Sequence, residues 1–115
     1  MIKILHNPRC SKSREALALL QQHYDDIDVI EYLKTPLSAV ELTILLQQLG
    51  VPARALIREK ESEFIQLGLD DATLSEQQLI EAMVAQPKLI ERPVIVKGDK
   101  AVIGRPVSNI MSLLS

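Results

Sequence analysis

One cysteine occurs in this 115-residue sequence, and its neighbours are unusual for that residue. A free cysteine most often behaves as a small buried hydrophobe, yet Cys10 sits in Pro8-Arg9-Cys10-Ser11-Lys12-Ser13, polar or charged apart from the proline. From Ser11 the residues are strong helix formers, which places the thiol on the first turn of a helix. Unpaired backbone N–H groups and the positive end of the helix dipole at that position favour thiolate over thiol. Arg9, Lys12 and Arg14 share the turn and add to the effect where they point inward. Ser13 is expected to donate its hydroxyl to the sulfur or to a bound anion. Cys10 is therefore the candidate nucleophile. For His6, four residues earlier at a strand end, the residues leave two readings open: a stabiliser of the thiolate, or a structural histidine hydrogen-bonded in the turn.

Three arginines stand at segment boundaries: Arg58 closes Arg54-Ala55-Leu56-Ile57-Arg58, Arg92 precedes Pro93, and Arg105 precedes Pro106. Singly, each reads as a solvated surface charge. Together they offer guanidinium forks, the side chains suited to bidentate binding of a tetrahedral oxyanion. Arg92 and Arg105 flank one expected hairpin and come from neighbouring strand ends, which lets them share a site. Spacing alone does not place Cys10 in it. Other chemistries lack their residues. A Cys-x5-Arg phosphatase loop needs arginine where Ala16 stands, and the glycines are scattered singly, so there is no phosphate-cradling loop. His23 reads as a solvated helix-end residue, and Asp25, Asp26 and Asp28 as a polar turn. One cysteine and two histidines make no zinc-spaced cluster, so no metal is expected.

The elements that must position these groups follow from pattern. Ile2 to His6 reads as a strand stopped by Asn7-Pro8, followed by the Cys10 helix with Ala16, Leu17, Leu19 and Leu20 on its apolar face. Asp26 to Leu33 alternates as a second strand with both faces partly covered; the helical link makes the two strands parallel. Ser38-x-x-Glu41 has the form of a capping box, with Leu42, Leu45, Leu46 and Leu49 following until Gly50. Pro52 to Leu69 holds one or two short helices. Ser75-x-x-Gln78 begins another, with Leu79, Ile80, Met83 and Val84 inward and Pro87 beyond its end. Val94-Ile95-Val96 and Ala101-Val102-Ile103 flank Lys97-Gly98-Asp99-Lys100, the signal of a tight antiparallel hairpin. Pro106 suits the first turn of a last helix with Val107, Ile110, Met111 and Leu114 on one face.

Composition bounds the setting. With 13 Lys plus Arg against 15 Asp plus Glu and 3% aromatic residues, the chain lacks the basic, stacking surface of a nucleic-acid binder. Its longest apolar run, Ala16 to Leu20, is far short of the roughly 20 residues that span a membrane, and the N-terminus lacks a signal-peptide pattern. The lone thiol excludes an intrachain disulfide. A single domain over residues 1–115, cytoplasmic and monomeric, is the expectation, since a chain of this size buries roughly two-thirds of its unfolded surface.

His6-Asn7-Pro8-Arg9-Cys10-Ser11-Lys12-Ser13-Arg14, Tyr32-Leu33-Lys34-Thr35-Pro36, Val51 to Arg58, Glu91-Arg92-Pro93-Val94-Ile95-Val96 and Gly104-Arg105-Pro106 together resemble the arsenate reductase family of glutaredoxin-coupled enzymes, in order across nearly the whole chain. The sequence resembles a short branch of it. The resemblance implies an α/β, thioredoxin-like fold, with β-α-β and β-β-α halves and a helical insertion between them, and makes Pro93 the cis-proline facing the active-site helix. It implies that Cys10 attacks the arsenic of arsenate while Arg58, Arg92 and Arg105 hold the oxyanion. His6 and Ser13 match positions that stabilise the thiolate, and Asn7 matches one near the active-site loop. No bound cofactor is implied. With no second cysteine the reductant comes from outside: glutathione attacks the arsenic adduct and takes arsenic from five- to three-valent, and glutaredoxin resolves the glutathione-linked species. Two alternatives remain open. One is a glutathione-dependent thiol oxidoreductase on another substrate. The other is a regulator like the Spx-type proteins, whose Cys-x-x-Cys switch is replaced here by Cys10-x-x-Ser13.

Overall fold

The computed structural model describes residues 2–114. Contacts divide the chain into two compact units, residues 1–35 with 92–115 and residues 36–91.

The first unit is built on four short strands, β1 (Ile2–Leu5), β2 (Ile27–Ile30), β3 (Val94–Lys97) and β4 (Lys100–Ile103), in the order β2-β1-β3-β4. β1 pairs parallel with β2 and antiparallel with β3, and β3 antiparallel with β4. Helix α1 (Ser11–His23) makes the β1-to-β2 crossover, and the short α5 (Asn109–Leu114) follows β4. These β-α-β and β-β-α halves are the thioredoxin-like arrangement that the resemblance implies. The central strands are the apolar ones: Ile2, Ile4 and Leu5 of β1 and Val94, Ile95 and Val96 of β3 are all buried, as strands covered on both faces require. On one side Ile2, Ile4 and Ile95 meet Ala16 and Leu20 of α1 and Ile110 and Leu113 of α5. Each such fully buried aliphatic side chain contributes about 1.5–3 kcal/mol. Leu17 and Leu19, expected on the inner face of α1, are partly buried against the same cluster.

Two boundaries differ from expectation. β2 stops at Ile30 instead of running to Leu33, because Glu31 O accepts the N–H groups of both Lys34 and Thr35 (2.9 Å each) and turns the chain. It is an edge strand, with Val29 exposed. The last helix begins at Asn109, not at Pro106. Residues 106–111 first close i-to-i+3 turns (Asn109 N–H to Pro106 O, Ile110 N–H to Val107 O, Met111 N–H to Ser108 O). The inward pair is accordingly Ile110 and Leu113, and Met111 points to solvent, 48% exposed.

The second unit, the helical insertion, contains α2 (Ala39–Leu49), α3 (Ser62–Gln66), α4 (Glu76–Ala85) and 3₁₀ turns at Ala53–Leu56 and Pro87–Leu89. Ser38 and Glu41 form a complete capping box, as do Ser75 and Gln78, and α2 ends on Gly50 at φ +69°. α2 and α4 bury Leu42, Leu45 and Leu46 and Leu79, Ile80 and Met83, respectively. An isolated antiparallel bridge, Ile57 to Ile90, ties the segment ending in Arg58 to the segment ending in Glu91. It is extended by Arg58 N–H to Leu89 O and Glu91 N–H to Leu56 O, both 2.7 Å.

Candidate active site

Cys10 is the N-cap of α1, in extended conformation (φ −96°, ψ 122°). The loop before it is held by one asparagine. Asn7 O accepts the Cys10 N–H (3.0 Å), its side-chain Oδ1 accepts the Arg9 N–H (3.0 Å), and its own N–H donates to Ser13 Oγ (3.0 Å). Arg14 adds a bond from Nη1 to Pro8 O at 2.9 Å.

The thiol is almost buried, 9% exposed. Burial alone pushes its pKa up. The Ser13 N–H, the Arg105 guanidinium, the positive charge of Arg92 and the Lys12 N–H outweigh that and bring it down from 9.0 to about 7. The sulfur does not close a direct cap hydrogen bond, so the two amides act on it as oriented dipoles at the helix start. A side-chain hydrogen bond reaches the sulfur from Arg105, Nη2 to Cys10 Sγ at 3.5 Å.

The hairpin explains why both arginines arrive at the cysteine. Pairing of Val94 with Ile103 continues one step past the strand ends as Gly104 N–H to Pro93 O, 2.8 Å. Arg92 and Arg105 are then neighbours across that end. The Arg92–Pro93 and Arg105–Pro106 peptides are both cis. Gly104 is needed for the closeness: a Cβ there would lie 2.9 Å from Ile95 Cδ1 and 3.0 Å from Pro93 Cγ. Arg92 Nε and Nη1 are buried and make no hydrogen bond among the described residues. Buried charged donors seldom stand so, and they equip this end of the sheet to accept an anion.

Several expected contacts are arranged differently. Ser13 is fully buried and its hydroxyl does not serve the sulfur: Oγ lies 2.6 Å from His6 Nδ1 and accepts the Asn7 N–H. What Ser13 gives Cys10 is its backbone N–H. His6 is buried and meets the loop through Ser13. Burial lowers its pKa, with Arg14 in the same sense and Glu31 opposing, so at neutral pH a neutral ring accepting the Ser13 hydroxyl proton fits the pair. The cations of the turn do not converge on the sulfur. Lys12 pairs with Glu15 (3.6 Å) on the exposed face of α1, Arg9 is exposed, and Arg14 is committed to Pro8 O. Arg58, in the second unit, is held by Glu61 at Nη1 and by Glu91 at Nε (3.5 Å). The structure thus brings Cys10, Arg92 and Arg105 together in the first unit, and sets Arg58 between two carboxylates of the second.

Sequence reasoning passed over Asn109. Its Nδ2 donates to Ile103 O (3.0 Å) and to Arg105 O (3.2 Å). An asparagine three residues beyond the Arg-Pro pair was the signal available. No group of three or more metal-ligating side chains occurs among the described residues, and no helix among them is long and apolar enough to cross a membrane.

The chain is similar to known proteins along nearly its whole length. A sequence model of the ArsC family matches residues 5–113. The chain is 49% identical over 114 residues to an uncharacterized protein of Escherichia coli (strain K12), covering 98% of this chain and 96% of that one. It is 43% identical over 114 residues to the arsenate reductase of Neisseria meningitidis (strain MC58), covering 98% and 97%. The solved structure of an arsenate reductase from Vibrio cholerae superposes with a TM-score of 0.93 at 46% identity, covering 96% of this chain and 95% of that one.

Proposed function

The chain belongs to the ArsC family, and on that premise we propose that it reduces arsenate to arsenite by covalent catalysis at Cys10. The observation that carries the reading is the set of a thiol lowered to about 7, a guanidinium 3.5 Å from its sulfur, and a second guanidinium with two buried, unbonded nitrogens. At neutral pH about half of such a thiol is thiolate. The thiolate attacks the arsenic of a bound arsenate, an S–As bond forms, and one oxygen leaves as water after taking up protons. Arg92 and Arg105 offset charge on the remaining oxygens, and the N–H groups at the start of α1 supply further donors. Arg58 is the third oxyanion ligand that the family resemblance gives, and joining it requires exchange of its Glu61 and Glu91 partners.

The chain has no second thiol, so the two electrons come from outside. Glutathione, a co-substrate and not a resident cofactor, displaces a second oxygen from the adduct. Glutaredoxin then attacks the glutathione sulfur, forming a mixed disulfide. The electron pair of the broken S–As bond stays on arsenic, which becomes trivalent and is released from Cys10 by water. In a mixture of arsenate, glutathione, glutaredoxin, glutathione reductase and NADPH, the protein drives NADPH oxidation and Cys10→Ser does not. No turnover by the intact protein, with no protection of Cys10 from alkylation by arsenate, overturns the proposal. Turnover of a small disulfide in place of arsenate assigns the site to a glutathione-dependent thiol oxidoreductase.

A further inference from the structure

We propose that Asn109 is a positioning residue for the Cys10 site, holding Arg105 against the sulfur by bracing the backbone on both sides of Gly104. The hydrogen bonds of the Asn109 side chain go to backbone carbonyls and not to the sulfur or a guanidinium group. Its amide Nδ2 donates to the carbonyls of Ile103 and Arg105, two residues apart, and so closes the bend at the end of β4 into a fixed loop. The bend needs such a closure. Gly104 gives one bond to Pro93 O, and Arg105 itself is an exposed residue whose long side chain has many rotamers to lose when it settles at 3.5 Å from Cys10 Sγ. A brace on its carbonyl fixes where that side chain starts.

The brace is itself anchored. Asn109 is the first residue of α5, its N–H donates to Pro106 O, and the next residue, Ile110, is fully buried in the cluster with Ile2, Ile4, Ala16, Leu20 and Ile95. Rigidity in the core is thus carried to the Arg105 carbonyl through one side-chain amide. The geometry also explains the residue type. An amide presents two N–H donors to two carbonyls. Aspartate at this position presents only acceptors to them and repels both. The groups acting on Cys10 are Arg105, Arg92 and the Ser13 and Lys12 amides. Of these, Arg105 is the one whose own backbone the brace bonds.

The inference deepens the proposed function but is tested without it, because the readout is the acidity of Cys10. The pH dependence of iodoacetamide alkylation is measured for the full chain, for Asn109→Ala, for Arg105→Ala and for the double variant, with thermal unfolding of each. Asn109→Ala is expected to weaken the thiol acid about tenfold, leaving about a tenth ionised at pH 7 in place of about half, hence about fivefold slower alkylation. In the Arg105→Ala background the same change adds nothing, since Asn109 acts through Arg105. Asn109→Asp behaves like the alanine variant or worse, and Asn109→Ser, which keeps one donor, falls between. An unchanged alkylation profile in Asn109→Ala overturns the proposal. So does an equal additional effect in the Arg105→Ala background, which makes Asn109 a general stabiliser of the fold. Should the alanine variant not fold, Asn109→Ser is read by the same two criteria. Absence of arsenate turnover by the intact chain, with the expected alkylation shift in Asn109→Ala and its loss in the Arg105→Ala background both seen, counts against the arsenate reading and leaves the brace standing.

Discussion

Replacing Arg92 by methionine separates what the residue does for folding from what it does for an anion. The guanidinium places Nε and Nη1 in the interior without partners. A buried donor left unsatisfied costs roughly 1–3 kcal/mol, so two such donors are a standing load on the fold. The residue as a whole is half-buried, and water reaching the rest of the group reduces the load, so we take about 2 kcal/mol. Methionine keeps an unbranched apolar stem of similar reach and removes both donors. Arg92→Met is therefore expected to raise stability by about 2 kcal/mol, or the unfolding midpoint by roughly 8 °C at about 4 °C per kcal/mol for a chain of this size. Function moves the other way. A lost hydrogen bond to a charged oxyanion is worth about 1.5–3 kcal/mol, which raises the KM for arsenate by roughly 10- to 150-fold. Removing the nearby positive charge also raises the Cys10 pKa. Thermal unfolding followed by circular dichroism, with coupled NADPH kinetics on the same samples, reads both. A variant that is less stable than the parent and binds arsenate equally well refutes the reasoning, because Arg92 is then a structural side chain whose buried nitrogens carry no functional cost.

Further expectations rest on other contacts. The folded state lowers the Cys10 pKa, so the group contributes stability that is fully present above pH 9 and lost as pH falls through about 7; urea unfolding at stepped pH shows this rise, and Cys10→Ser flattens it. Ser13→Ala leaves His6 Nδ1 and the Asn7 N–H without their shared partner and is expected to cost about 2–3 kcal/mol by denaturant titration. Gly104→Ala places a methyl 2.9 Å from Ile95 Cδ1 and 3.0 Å from Pro93 Cγ, and overpacking of this kind costs about 1–3 kcal/mol; a crystal structure of the variant should show the Pro93 and Gly104 segments moved apart.

What the sequence made legible was local. Ser38 with Glu41 and Ser75 with Gln78 satisfy each other's helix-end groups within four residues, and Gly98-Asp99 closes a hairpin between paired strands, so pattern alone sufficed. The candidate nucleophile was legible for the same reason, because a helix start is a short-range feature. What was missed depends on neighbours far away in sequence or on competition between partners. Spacing does not say which partner the Ser13 hydroxyl takes, and His6, brought close by the β1-to-α1 turn, is the one it meets. Glu31 reads as the next alternating residue of a strand until its carbonyl is seen to take two N–H groups at once. Met111 and Leu113 are equally apolar, and only the point where α5 begins decides which of them faces the core. Spacing likewise could not show that Arg58 would be claimed by Glu61 and Glu91.

The Asn7 loop has a consequence for kinetics of capture. Its backbone N–H, backbone carbonyl and side-chain oxygen each serve a different partner between Arg9 and Ser13, and all three bonds are made inside the chain. The entropy of ordering the segment in front of the nucleophile is consequently lost during folding and is not charged against the encounter with a ligand. On the proposed function, an anion reaching Cys10 is expected to find this loop already ordered, so that its rearrangement does not slow the encounter. Its amide hydrogens should accordingly exchange with solvent as slowly as those of the helix that follows, although the segment carries no regular secondary structure.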